Sequence, residues 1–81
     1  MLKYKIDIIK ELEKVGFTSY TAKKTRVLSQ ETMRKLKNGD TNISLKSLNR
    51  ICTILEMQPR DLIKYVETEE DEKVLEKISK K

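Results

Sequence analysis

Eighty-one residues suffice for one domain with a modest core, and 37% hydrophobic against 38% charged residues leave enough apolar surface to fold but no run near the roughly 20 apolar residues of a membrane span. Two glycines and one proline favour long elements with short connections over a turn-rich β fold, and a single cysteine excludes an intrachain disulfide. The formal charge of +5 is uneven: residues 1–66 hold 14 Lys/Arg against 7 Asp/Glu (+7) and residues 67–81 hold 4 against 6 (−2), so a basic body suited to a polyanion carries a mildly acidic tail.

Apolar spacing predicts a first helix from Lys5 to Val15, with Ile8, Ile9, Leu12 and Val15 on one side and Asp7, Lys10, Glu11 and Lys14 on the other. Gly16 follows as the residue after its cap. Thr18 to Val27 reads as a second helix, capped by Thr18 or Ser19; its apolar residues are few (Tyr20, Ala22, Val27) and its basic ones are Lys23, Lys24 and Arg26. Only Leu28 and Ser29 separate it from the body of a third helix, which Ser29 caps and which runs to Lys37 before the stop signal Asn38-Gly39. The loop that follows has Ile43 as its one apolar anchor, and Ser44 caps a fourth helix with Leu48, Ile51, Cys52, Ile54 and Leu55 on one face. Pro59 opens a short fifth helix to Val66, and Asp61 in its first turn suits the helix dipole. The tail has an apolar stripe of Val74, Leu75 and Ile78 and Glu-before-Lys pairs at Glu69/Lys73 and Glu76/Lys80, which make it a candidate sixth helix. The expected fold is all-α: five compact helices over residues 1–66, then a charged tail over residues 67–81.

The third helix carries the most informative chemistry. Met33 and Leu36 point one way, and Gln30, Glu31, Arg34 and Lys35 point the other. A tight connection between two short helices forces a sharp angle, the helix-turn-helix geometry, whose second helix enters the major groove of duplex DNA. Gln30 matches the N6/N7 edge of adenine, Arg34 or Lys35 the O6/N7 edge of guanine, and Glu31 the N4 amine of cytosine; the Thr32 methyl can meet a thymine methyl. Glu31 can also orient Arg34 or Lys35. The same long polar side chains would equally suit a solvated surface.

The stretch Leu28-Ser29-Gln30-Glu31-Thr32-Met33-Arg34-Lys35-Leu36-Lys37-Asn38-Gly39 resembles the recognition helix and following turn of the Cro/lambda-repressor-like (XRE) helix-turn-helix regulators. Asn42-Ile43-Ser44-Leu45-Lys46-Ser47-Leu48 and the run from Ile51 to Val66 are similar to a subgroup of small single-domain regulators, whose members often begin with a Tyr-Lys segment such as Leu2-Lys3-Tyr4-Lys5-Ile6. The resemblance spans about residues 2–66. It implies base contacts from Gln30, Glu31, Arg34 and Lys35, with Thr32 near the groove. It implies phosphate contacts from Ser19, Lys37, Asn38 and Asn42, with Lys23, Lys24 and Arg26 as further candidates; capping and solvation are the plainer roles for these. The chain departs from the family where a small Ala, a Leu and a turn Gly are usual: Lys23, Arg26 and Val27 stand there. The helix before the recognition helix is therefore expected to be shifted, longer or differently packed.

The resemblance implies a sequence-specific transcriptional regulator, a repressor by preference, that binds a pseudo-palindromic operator as a homodimer with half-sites spaced by about 34–36 Å. Dimer contacts are expected from Ile63, Tyr65, Val66, Val74, Leu75 and Ile78. The alternatives are the antitoxin of a toxin–antitoxin pair, with a regulatory protein partner, and a helical protein-interaction module without DNA binding. With no His, one Cys and no Gly-rich loop, enzymatic, cofactor and metal sites lack parts, and the carboxylates from Glu67 to Glu72 lack calcium-loop spacing. Met33, Leu36, Leu48, Ile51, Cys52, Leu55, Leu62 and Ile63 are expected in the core, with Cys52 a buried, inert thiol. One cysteine and no signal-peptide segment fit a cytoplasmic protein without membrane contact.

Overall fold

The computed structural model describes residues 1–78; Lys80 of the Glu76/Lys80 pair lies outside them. Eight elements follow in chain order: β1 (Leu2–Tyr4), α1 (Ile8–Lys14), α2 (Ser19–Thr25), α3 (Gln30–Lys37), α4 (Leu45–Leu55), α5 (Pro59–Leu62), β2 (Ile63–Tyr65) and α6 (Glu69–Lys77).

Side-chain caps set most of the helix starts. Asp7, Thr18, Ser29 and Ser44 each accept a hydrogen bond from the backbone N–H three residues on, which satisfies a donor the helix leaves free. Asp7 thus stands outside α1 as its cap, and the helix is shorter than its apolar spacing predicts. α1 and α3 end alike. Gly16 (φ +83°) and Gly39 (φ +74°) take the left-handed position, and Phe17 and Asp40 donate back to the carbonyls of Leu12 and Lys35, both at 2.8 Å.

The expectation of an all-α fold needs correction, because two short strands join the helices. The fifth helix stops at Leu62 instead of reaching Val66. From Ile63 the chain is extended and pairs antiparallel with β1, in the register Leu2↔Tyr65, Lys3↔Lys64 and Tyr4↔Ile63. Tyr4 in β1 and Ile63 and Tyr65 in β2 are residue types that suit strands. The ladder continues into Lys5, whose N–H donates to the Leu62 carbonyl at 2.8 Å, so pairing satisfies backbone groups that a further helical turn would have satisfied locally.

The core is one cluster centred on Leu12, Leu28, Ile51 and Leu62, with Ile8, Phe17, Ala22, Met33 and Leu36 around them. Leu48, Leu55 and Ile63 pack against it partly buried. Cys52, expected to be fully buried, is only half-buried, because α4 turns that flank toward solvent. Within the tail, Glu69–Lys77 is helical: α6 is capped by Thr68, and Asp71 closes a reciprocal bond to the Thr68 N–H. Bonds from the Met1 amine and from the Thr68 hydroxyl and N–H hold the Asp71 carboxyl down at about 2. α6 buries none of its side chains. The molecule is 49 Å long and 21 × 19 Å across, and its radius of gyration of 14.9 Å exceeds the roughly 12 Å of a compact chain this size.

Candidate nucleic-acid interface

The interface is built on α2 and α3, which pack on each other while α3 also rests on α1. Met33 and Leu36 turn inward, and Gln30, Glu31, Arg34 and Lys37 are exposed. Glu31 and Arg34 form an ion pair one turn apart on that outer face. An exposed pair of this kind contributes about 0–1 kcal/mol, so Arg34 can exchange Glu31 for another acceptor at little cost. Gln30 reaches across to the start of α2, where its Nε2 donates to the Ser19 carbonyl at 3.3 Å. That bond sets the side chain at the junction of the two helices.

Two residues expected on the outer face are engaged elsewhere. Thr32 is only 8% exposed; its hydroxyl meets those of Ser29 at 3.0 Å and Ser47 at 3.5 Å, and Ser47 in turn receives a bond from Ser44 at 3.0 Å. These four hydroxyls run from the α3 cap to the α4 cap, so Thr32 ties the helices together and its methyl is not offered to a groove. Lys35 is half-buried and donates to the Asn42 carbonyl at 2.9 Å, bracing α3 against the following loop. Sequence spacing counts both as polar positions of a helix and cannot see the serine and carbonyl that await them.

The other candidates surround the outer face of α3. Ser19, Lys23 and Arg26 lie along one side of α2, and Lys23 and Arg26 line the same cleft as Ser29 and Gln30. Lys24 is on the adjoining side, its ammonium 6.0 Å from the centre of the Tyr20 ring. Asn38 is exposed and ends α3, its N–H donating to the Arg34 carbonyl at 3.0 Å. Asn42 is exposed in the loop, where its N–H donates to the Asp40 carboxylate at 2.8 Å. Ile63 is partly buried in the core, whereas Tyr65, Val66, Val74, Leu75 and Ile78 are exposed.

The connection between the helices is longer than the sequence suggests. α2 ends at Thr25, so Arg26 to Ser29 form the turn, and Val27 is not helical. Arg26 takes the left-handed conformation, φ +60°, which a turn glycine would occupy without strain. Ala22, 1% exposed, fills the tight contact of α2 with the core. The small residue and the left-handed turn are thus both present, each one position earlier than the family pattern places them, at Ala22 and Arg26 rather than Lys23 and Val27. The chain has one more residue between them and the α3 cap, and Arg50 of α4 holds this turn by donating to the Val27 carbonyl at 2.8 Å.

Two residues were missed by sequence reasoning. Arg50 carried no local signal, since its partner is 23 residues away. Tyr20 reads as weak apolar content, yet it is 71% exposed; a lysine four residues on was the available clue.

Two short helices joined by a four-residue turn, the second with a polar outer face and basic surroundings, define a helix-turn-helix domain. A family profile for the Cro/C1-type HTH DNA-binding domain matches residues 10–68. The chain belongs to that family, and its body is a DNA-binding domain. No curated protein and no solved structure matches it at a significant level. No helix among the described residues is long and apolar enough to cross a membrane.

Proposed function

We propose that the chain is a sequence-specific transcriptional regulator, acting as a repressor, that lays the outer face of α3 in the major groove of duplex DNA. The observation that carries this is the exposed set Gln30, Glu31 and Arg34 on a helix whose other side, Met33 and Leu36, is fixed in the core. Gln30 reads adenine, Arg34 reads guanine, and Glu31 reads cytosine or aims Arg34. Thr32 and Lys35 leave the reading set and act as braces. Ser19, Lys23, Lys24, Lys37, Asn38 and Asn42 contact phosphates, joined by Arg26 and Tyr20 beside the same groove. Residues 1–66 form the DNA-binding domain, and residues 67–81 form a tail that serves assembly. The regulator binds a pseudo-palindromic operator as a homodimer in the cytoplasm.

The DNA reading is favoured over a protein-interaction module by charge. Residues 18–37 hold six Lys/Arg and only Glu31 among the carboxylates. The test is duplex binding by the purified protein across a salt series. Affinity that falls steeply as salt rises supports phosphate neutralisation. Absence of duplex binding at low salt sinks the reading.

A further inference from the structure

Tyr4 ends β1, with its ring packed partly buried against the core. Its hydroxyl donates to the Asp40 carbonyl at 2.8 Å, across 36 residues of sequence. One residue on, the Thr41 hydroxyl donates back to the Leu2 carbonyl at 3.3 Å. β1 thus grips the loop that follows α3 at two adjacent residues. α3 itself holds the same loop from the other side. The Asp40 N–H donates to the Lys35 carbonyl at 2.8 Å, and the Lys35 ammonium donates to the Asn42 carbonyl at 2.9 Å. Asn42 sits among these ties and is exposed, its N–H bonded to the Asp40 carboxylate at 2.8 Å.

We infer that Tyr4 and Thr41 are positioning residues for DNA binding: they hold Asn42 where it meets a phosphate and do not touch DNA themselves. This rests on the DNA reading above, in which Asn42 contacts the backbone. Residues 40–44 are neither helix nor strand, so the shape of the loop depends on these bonds and on Ile43, which packs against the core. A loop free to move loses conformational entropy when it binds, and a loop ordered beforehand is spared that loss. β1 is a firm post for the purpose, because it is paired with β2 over three residues and the ladder continues into Lys5. A role in folding alone accounts less well for the two ties. Both are exposed bonds, where water replaces a lost partner and the net contribution to stability is small. Water does not replace the link between β1 and the loop.

The test compares duplex binding and thermal unfolding of full-length variants. Tyr4→Phe keeps the ring and removes the tie. It is expected to lower affinity about three- to tenfold, alike on all sequences, at temperatures well below its unfolding midpoint. Thr41→Val is expected to lose about two- to threefold, and Thr41→Ser, which keeps the hydroxyl, to restore what Thr41→Val loses. The decisive readout is coupling. In a chain carrying Asn42→Ala, Tyr4→Phe is expected to cost less than about twofold, whereas in a chain carrying Lys23→Ala it costs its full factor. A purely structural tyrosine would shift the midpoint and leave affinity unchanged. Wild-type affinity in Tyr4→Phe, or a loss undiminished by Asn42→Ala, overturns the proposal and leaves the DNA reading standing. If Tyr4→Phe fails to fold, the Thr41 variants decide, and Thr41→Val binding as tightly as the wild type overturns the proposal. A wild type that binds no duplex overturns both.

Discussion

Arg26 holds a left-handed conformation in the turn that aims α3, and a side chain there is strained relative to glycine. Arg26→Gly is expected to stabilise the domain by about 0.5–1 kcal/mol, raising the thermal midpoint by about 2–8 °C. The same change removes a cation beside the α3 cap, so duplex affinity falls while stability rises; calorimetry and binding on one sample separate the two effects. A lower midpoint would mean that Arg26 makes a stabilising contact outweighing its strain. Tyr4 gives a second residue-level test. Burial, and then the Asp40 carboxylate, push its phenol up to about 12, and its hydroxyl donates to the Asp40 carbonyl at 2.8 Å. The folded value lies above the unfolded value near 10, so the phenol's contribution to stability is complete below about pH 10 and is lost as pH rises through 12. An ultraviolet titration is expected to show a phenol ionising near pH 12 that is absent from Tyr4→Phe.

At the scale of elements, caps decide where helices begin. Ser29 carries the α3 cap and the first hydroxyl of the chain through Thr32 to Ser47. Ser29→Ala should cost about 1–2 kcal/mol, measured by denaturant unfolding, and more than Thr18→Ala, whose hydroxyl caps α2 and meets only Thr21. Capping residues, the Asn38-Gly39 stop and the apolar spacing of α3 and α4 are local signals, and these helices were legible from them. The β1–β2 pair was not, because its partners lie some sixty residues apart and each segment alternates apolar and charged residues over only three positions, too few to separate a strand from the adjoining helix. The same limit applies at the interface. The outer face of α3 follows from helical spacing alone. The contacts of Thr32 and Lys35 do not follow from that spacing, because Ser47 and the Asn42 carbonyl, which meet them, belong to other elements. The α2–α3 turn was misjudged because one additional residue shifts Ala22 and Arg26 against the family pattern, and only their burial and backbone angle reveal the shift.

For the whole molecule, charge separates a basic body, which holds the DNA-binding domain, from an acidic tail whose helix α6 buries none of its side chains. Each phosphate neutralised contributes about −0.9 to the slope of log affinity against log salt. Lys23→Ala should therefore make that slope shallower by about one for each protomer bound. The most direct test of the account is a comparison of α3 substitutions on an operator selected from a random duplex library. Arg34→Ala and Gln30→Ala are predicted to relax preference at particular base pairs, each by about 1–3 kcal/mol of discrimination, whereas Lys37→Ala weakens binding to all sequences alike. If all three substitutions weaken every duplex equally and leave base preference intact, the outer face of α3 does not read sequence.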